Sequence, residues 1–295
     1  MRPEWKGYSA VLVSTLAMSN VYIFSKAALN EMSLAAFGFY WFGFALIWNL
    51  IYMAFAKKLK ALTLLNFRQL KILVLLGIIE VVATTGFFAA IQTMEQPATV
   101  SFLANIGPIY VTILAFWFLK ETLRRQEILG AIITLTGAFI ISYQTNFSIN
   151  SDFGKGLILI MIYTLIFAIG SIISKKHITH IAPSILTLNR ALYLFIFSSI
   201  IFMSTEANFD ISNAAIINTL LGSLLGPTLA ALAGYYAIQF IPASKASILG
   251  AFKGFLVLVT SYLYFGLWPQ WYQILGGVLT VLGVVTITLS KQKNK

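Results

Sequence analysis

The sequence predicts an all-α integral membrane protein with ten transmembrane helices, arranged as two inverted five-helix repeats with both termini in the cytoplasm. Two observations predict this class. The chain is 59% hydrophobic and only 10% charged, with a mean hydropathy of +0.87, which is far from the composition of a soluble domain. Its second half also repeats the first: Lys6-Gly7 and Phe24-Ser25-Lys26 return as Lys155-Gly156 and Ile173-Ser174-Lys175.

Ten apolar segments are long enough to cross a bilayer, which takes about 20 residues of helix. They are residues 7–27, 34–56, 70–94, 98–119, 127–146, 154–174, 183–204, 214–240, 244–267 and 271–290, numbered here as predicted helices 1 to 10. Predicted helices 3 and 4, and 8 and 9, run almost continuously through Pro97 and Pro242. The connections are short, which leaves no room for a catalytic domain outside the membrane.

The repeat divides the chain into domains 1–149 and 150–295. Further along, Gly86-Phe87-Phe88-Ala89-Ala90-Ile91-Gln92 returns as Gly234-Tyr235-Tyr236-Ala237-Ile238-Gln239, which is one Ala shorter. Pro97-Ala98-Thr99 matches Pro242-Ala243-Ser244, and Leu129-Gly130-Ala131 matches Leu275-Gly276-Gly277. Five helices per half force the two copies into opposite orientations. Inverted repeats of this kind build a site near the membrane midplane, which points to a transporter.

The net charge of +11 sets the orientation of the chain and does not indicate nucleic-acid binding. With the N-terminus inside, the outer connections hold only Lys26 and Lys155 as basic residues. The inner segments hold Arg2, Lys6, Lys57, Lys58, Lys60, Arg68, Lys71, Lys120, Arg124, Arg125, Lys175, Lys176, Lys245, Lys291, Lys293 and Lys295. This positive-inside pattern places both termini in the cytoplasm.

Three ionisable residues lie inside predicted helices, where a charge is costly and is therefore a functional candidate. Glu80 and Lys253 lie near mid-depth, so we expect them to pair with each other or to face a water-filled cavity. Arg190 is shallower. It either serves the pathway, ties predicted helix 7 to a neighbouring helix end, or extends to the membrane surface.

The repeat places Glu80 opposite Thr228 and Lys253 opposite Pro108, which predicts a central cavity walled by predicted helices 3, 4, 8 and 9. Ser and Thr in such helices also bond to their own backbone, so helix packing remains an alternative role for them. The predicted substrate pathway consists of Glu80, Thr84, Gln92, Asn105, Pro108, Tyr110, Pro227, Thr228, Tyr235, Gln239 and Lys253.

We expect no catalytic residues, no metal site and no cofactor. The chain has no cysteine, which excludes disulfides and thiolate metal sites. His177 and His180 share one short connection without a third ligand, which is typical of a solvated loop.

Each half ends in a helix-loop-helix that resembles the EamA-type transporters of the drug/metabolite transporter superfamily. In the first half the matching residues are Pro97-Ala98-Thr99, Pro108, Phe118-Leu119-Lys120-Glu121-Thr122, Gln126, Leu129-Gly130-Ala131 and Gly137. In the second half they are Pro242-Ala243-Ser244, Tyr264-Phe265-Gly266, Gln273, Gly276-Gly277 and Gly283, and Pro183 with Arg190 is similar to another element of the family. Two departures stand out: aromatics Tyr40-Trp41 take the position of Arg190 in the first half, and Gly266 replaces the acid that matches Glu121.

The resemblance implies export of small metabolites, often amino acids, across the bacterial inner membrane. In the resulting hypothesis, Lys253 binds a carboxylate of the substrate and Glu80 carries a proton. The protein works by alternating access, as a monomer or a weak homodimer. A multidrug exporter of lipophilic cations and a passive channel are the rivals within transport. A membrane-embedded enzyme and a sensor without transport are the rivals outside it.

Overall fold

A computed structural model describes residues 3–94, 100, 103–141, 151–205, 211–266 and 268–289, in which every regular element is a helix. The helices are α1 (Pro3–Leu29), α2 (Leu34–Phe55), α3 (Phe67–Thr93), α4 (Ile106–Leu119), α5 (Arg125–Ile141), α6 (Ser151–His177), α7 (Pro183–Ser204), α8 (Asn213–Phe240), α9 (Ala243–Gly250, continued as Lys253–Phe265) and α10 (Trp271–Leu289). A single 3₁₀ turn, Leu59–Leu62, lies between α2 and α3.

Within these described ranges, eight helices are long and apolar enough to cross a membrane, and α4 is a shorter apolar helix. The expectation of a helical, multi-pass membrane protein is therefore confirmed. The count of ten spans, the division at residue 149 and the cytoplasmic position of both termini stay predictions. Pro97-Ala98-Thr99, Ser101 and residues 142–146 lie outside the described residues.

Local capping explains where several helices begin. The Asn66 side chain accepts a hydrogen bond from the backbone N–H of Gln69, and the Gln69 side chain accepts one from Asn66. This reciprocal cap satisfies two N–H groups at the helix start, so α3 begins at Phe67, three residues before its predicted start. Ser33 caps α2 in the same way through the N–H of Ala36.

Helix α8 ends at Phe240 and α9 begins at Ala243, so the nearly continuous run expected through Pro242 is broken there. Both helices are also irregular inside. A π-helical stretch, Leu224–Ala230, surrounds Pro227, which has no N–H to donate. At Ala251 and Phe252 the N–H groups bond to carbonyls three residues back, those of Ile248 and Leu249. Such tight or wide turns relieve strain and commonly occur at functional sites in membrane helices.

The helices exchange partners between the two halves. Helix α1 packs against α8 and α9, while α6 packs against α3 and α4; α2 packs against α7, and α5 against α10. This is the pattern expected of two repeats related by a two-fold axis. The end of the bundle at which α1 begins is called the proximal side, and the end at which α1 finishes is called the distal side.

The contact between α5 and α10 depends on repeat-related glycines. A Cβ added to Gly137 would lie 2.5 Å from both the Gly276 carbonyl oxygen and the Thr280 nitrogen. A Cβ on Gly283 would lie 2.3 Å from the Thr134 hydroxyl and 2.6 Å from the Gly130 carbonyl oxygen. The two backbones approach each other too closely for any side chain to fit between them. In a lipid bilayer, where the hydrophobic effect does not drive helices together, such close packing of small residues stabilises their contact.

We predict that Gly137→Ala destabilises the protein by about 1–3 kcal/mol, the usual cost of overpacking, because backbone atoms that cannot move away surround the new methyl group. The matched control is Gly154→Ala in α6, where nothing lies within 4 Å. Thermal unfolding of the two detergent-purified variants checks this; equal midpoints would contradict the packing argument.

Candidate functional site

A cavity of about 270 Å³ lies inside the bundle, between helices of both halves. Its distal wall consists of large aromatic side chains, and its proximal wall consists of small residues of α8 and α9. Six predicted pathway residues line it: Glu80, Thr84, Pro108, Pro227, Tyr235 and Lys253. Arg190 lines it as well.

Glu80 is the centre of a polar cluster in the cavity wall. The Arg190 Nε lies 3.1 Å from Glu80 Oε2, and the Tyr235 hydroxyl donates a 3.2 Å hydrogen bond to Glu80 Oε1. Thr84 donates to Glu80 Oε2 at 3.4 Å and accepts a 3.1 Å bond from Arg190 Nη2. Both carboxylate oxygens are thus engaged, and the Glu80 side chain is only 9% exposed.

This cluster connects the two halves of the chain. Glu80 and Thr84 lie one helical turn apart on α3, whereas Arg190 comes from α7 and Tyr235 from α8. Of the two alternatives expected for Glu80 and Lys253, both residues line the cavity, and they do not pair with each other. The long Arg190 side chain reaches the carboxylate instead. The sequence did not predict the Glu80–Arg190 pair, because the depth of a residue along its helix gives neither the length of its side chain nor the tilt of the helix.

Lys253 faces the cavity from the point where α9 resumes. No carboxylate lies within ion-pair distance of its ammonium among the described residues. An ammonium in a largely apolar cavity is costly unless water or a ligand reaches it. In the part of the chain that the structure describes, Lys253 is therefore a cationic group in the cavity wall without a counter-ion.

The starts of two regular helical segments lie near this lysine. The regular part of α4 begins at Ile106, and that of α9 resumes at Lys253. The N–H groups of Gly107, Gly254 and Phe255 bond to carbonyls three residues back, so they are already engaged. Asn105 is 0% exposed, and neither its Oδ1 nor its Nδ2 has a hydrogen-bond partner. Its Nδ2 lies 3.9 Å from the position that a Cβ of Gly254 would occupy.

The distal wall of the cavity is an aromatic cluster. Phe87 lies between Tyr22 and Tyr163, with both ring centroids at 5.3 Å, and Phe88 lies 5.4 Å from Trp41. All five rings are buried and line the cavity. From the sequence, the predicted aromatic walls are Phe87, Phe88, Tyr235 and Tyr236. Tyr22, Trp41 and Tyr163 gave no local signal, because aromatic residues make up 15% of the chain.

The remaining predicted pathway residues lie outside the cavity lining. Thr228 is buried, accepting a hydrogen bond from Asn49 and donating one to the Ser223 carbonyl. Tyr110 is half-buried and points to the Met161 sulfur at 3.9 Å. Gln92 and Gln239, which the repeat relates, are both exposed. Asn105 lies behind the lining. None of these placements tests a role in transport.

No group of three or more His, Cys, Asp or Glu that could hold a metal occurs in the part of the chain that the structure describes. His177 and His180 lie at the end of α6 and in the connection to α7. The site is therefore built from an ion pair, a single ammonium, a buried amide and aromatic rings.

Comparisons with known proteins agree with this architecture. The model of the EamA-like transporter family matches twice, over residues 5–143 and 154–289, so the chain belongs to this family and is a multi-pass membrane transporter. An uncharacterized transporter of Synechocystis sp. is 25% identical over 240 residues, which cover 77% of this chain and 67% of the relative. A protein of known crystal structure superposes with a TM-score of 0.76 at 15% identity, over 98% of each chain. That likeness shows the fold alone.

We predict that Arg190→Met destabilises the protein by about 3–5 kcal/mol, because it leaves the Glu80 carboxylate buried without its partner. The double variant Glu80→Gln/Arg190→Met recovers part of that loss, since both charges are gone. Arg68→Met, at an exposed position, is the control. Thermal unfolding in detergent measures these three variants and Glu80→Gln alone. A loss in the double variant equal to the sum of the two single losses would show that the two side chains are not coupled.

Proposed function

We propose that this member of the family is a secondary active transporter that exports small metabolites such as amino acids by alternating access. In this proposal it lies in the bacterial inner membrane, with both termini in the cytoplasm, so that the proximal side is the inner side. One observation carries the proposal. A cavity between the two halves holds an unpaired ammonium, and an ion pair in its wall bridges the halves.

Lys253 supports an anionic substrate group. Among the described residues its ammonium has no counter-ion, and it lines the central cavity. A buried cation at mid-membrane is costly unless it is paired or wetted. A substrate carboxylate at this point would neutralise the lysine.

The aromatic wall supports a substrate with an apolar body. Tyr22, Trp41, Phe87, Phe88 and Tyr163 present ring faces and edges to the space opposite Lys253. Rings of this kind bind apolar and aromatic groups through contact area and edge-to-face geometry. An amino acid with an apolar or aromatic side chain combines both requirements.

Glu80 is our candidate for coupling transport to a proton gradient. Protonation of its carboxyl would remove the charge that holds Arg190 and would change the hydrogen bond with Tyr235. Because α3 belongs to one half and α7 and α8 to the other, this change would loosen the contact between halves. A proton could thereby alter the balance between the two orientations of the cavity.

The rival functions fit these observations less well. A lipophilic cation would meet the unpaired Lys253 ammonium, because Arg190 already engages the Glu80 carboxylate. A passive channel, a sensor or a membrane-embedded enzyme would leave the bridging ion pair between the halves without a purpose. Accumulation of a labelled substrate against its gradient separates the transporter from these three.

Counterflow in proteoliposomes tests the proposal directly. Purified protein is reconstituted with a pool of unlabelled amino acids inside, and single labelled amino acids are then added outside. We expect transient accumulation of at least one label, more strongly for apolar or aromatic side chains. Absence of accumulation for every amino acid would reject this substrate class, and the same assay would then use lipophilic cations.

We predict that Lys253→Met lowers counterflow of the accumulated amino acid at least tenfold, because the carboxylate loses its cation, and that Lys253→Arg retains part of it. Lys60→Met removes the same charge from an exposed connection and should leave counterflow unchanged. Unaltered transport by Lys253→Met would contradict the assignment of the anion site.

We predict that Glu80→Gln abolishes stimulation by an imposed pH gradient while counterflow at symmetrical pH persists, because an amide cannot carry the proton. The two assays on one preparation separate coupling from general damage. Full gradient-dependent transport by Glu80→Gln would remove Glu80 from the coupling mechanism.

A further inference from the structure

The corner between α8 and α9, at the proximal side, is held by charged side chains from three other segments. The Lys175 ammonium donates to the carbonyls of Ile238 and Ile241, at 2.5 and 2.9 Å. It thereby caps the C-terminal end of α8, where a cation is favourable. The carboxylates of Glu121 and Glu127 bind the first residues of α9.

Glu121 caps the N-terminus of α9 from the other half of the chain. It lies in the connection between α4 and α5. Its Oε1 accepts the Ala243 N–H at 2.9 Å, and its Oε2 accepts the N–H and the hydroxyl of Ser244 at 3.0 and 2.7 Å. Bonds from helix N–H groups to a carboxylate are charge-assisted and roughly twice as strong as neutral ones.

One helical position further on, Lys245 forms an ion pair with Glu127 of α5. Their charged atoms lie 2.6 Å apart, and the side chains are only 5% and 1% exposed. The second Glu127 oxygen accepts the Arg124 N–H at 2.9 Å, which fixes the carboxylate on its own helix. Removing one member of such a pair leaves the other charge buried and uncompensated.

Among the described residues of the repeat-related corner, at the distal side, the lysine is kept and no carboxylate stands where Glu127 stands at the proximal side. The Lys26 ammonium donates to the carbonyls of Ile91 and Met94, as Lys175 does to those of Ile238 and Ile241. Val100 takes the place of Lys245, and Gln273 takes that of Glu127. The latter equivalence is visible in the structure, because the Gln273 side chain accepts the Gln270 N–H as Glu127 accepts that of Arg124.

The counterpart of Glu121 is also uncharged. Lys120, with φ 57°, and Gly266, with φ 70°, are the left-handed residues that end α4 and α9. In the sequence, Glu121 directly follows Lys120, whereas an uncharged residue, Leu267, directly follows Gly266. At the distal side, the two halves are joined by a hydrogen bond from the Ser212 hydroxyl to the exposed Glu31 carboxylate.

From this asymmetry we infer that Glu121 and the Glu127–Lys245 pair are the gate of the proximal side, a latch that holds the cavity closed there. The first half supplies both carboxylates and the second half supplies α9, so opening must separate them. The segment they hold also lines the cavity through Ala243, Ala246 and Ser247. The inference rests on the proposed alternating access, and it makes these residues positioning residues, not substrate contacts.

The absence of native cysteine allows a direct test with one introduced reporter. Ser247→Cys lies on the latched segment and faces the cavity. A membrane-impermeant maleimide is applied separately to right-side-out and inside-out membrane vesicles, without any substrate. We expect Glu121→Gln in this background to raise the labelling rate from the proximal side roughly tenfold, the scale of a lost charge-assisted bond, with no rise from the distal side.

Three further variants make the result specific. Glu121→Asp keeps the charge and should restore most of the parent rate, and Ser244→Ala, which removes one of the three bonds, should give a smaller rise in the same direction. Ser244→Ala also serves if Glu121→Gln fails to fold. Glu31→Gln removes the exposed carboxylate that joins the halves at the distal side, and it should not increase proximal labelling.

Equal labelling of the parent and Glu121→Gln proteins, or a rise from both sides, would overturn the latch. Because the readout needs no substrate, it is independent of the counterflow assay. A negative counterflow result with one-sided labelling would reject the amino-acid substrate and keep the gate. Accumulation of a labelled amino acid together with unchanged maleimide labelling would keep the amino-acid substrate and reject the gate.

Discussion

A polar group inside the hydrocarbon region must find its partner within the protein, and here each half of the chain supplies partners to the other. Glu80 of the first half is satisfied by Arg190 and Tyr235 of the second. The start of α9 in the second half is capped by Glu121 of the first. Neither half can therefore be complete alone, and the cavity lies where the two meet.

The features shared by both halves form the frame of the molecule. Lys26 and Lys175 cap the third helix of their own halves, and the glycines of α5 and α10 bring the last helices together. Both features solve general problems of a helix in lipid: unsatisfied carbonyls at helix ends and close approach of two backbones. Repetition preserves such features because both halves need them.

The features that differ between the halves form the site. Arg190 stands where the first half has Trp41, and Tyr235 stands where it has Phe87. One side of the cavity is consequently a polar cluster, and the other is an aromatic wall. The Lys253 ammonium lines the same cavity.

The helical membrane class, the resemblance to the family, and the residues too polar for lipid can all be read from the sequence alone. Composition, hydropathy and repeated motifs are local properties, and they could be read without coordinates. Depth along the helix also placed Glu80 and Lys253 at the cavity, but it did not find the partner of Glu80. The packed helices were needed to show that Arg190 binds this carboxylate, that Lys253 has no counter-ion among the described residues, and that Glu121 reaches α9. These facts depend on how helices distant in the chain tilt and cross, and on how far a side chain extends, which no spacing along the sequence records.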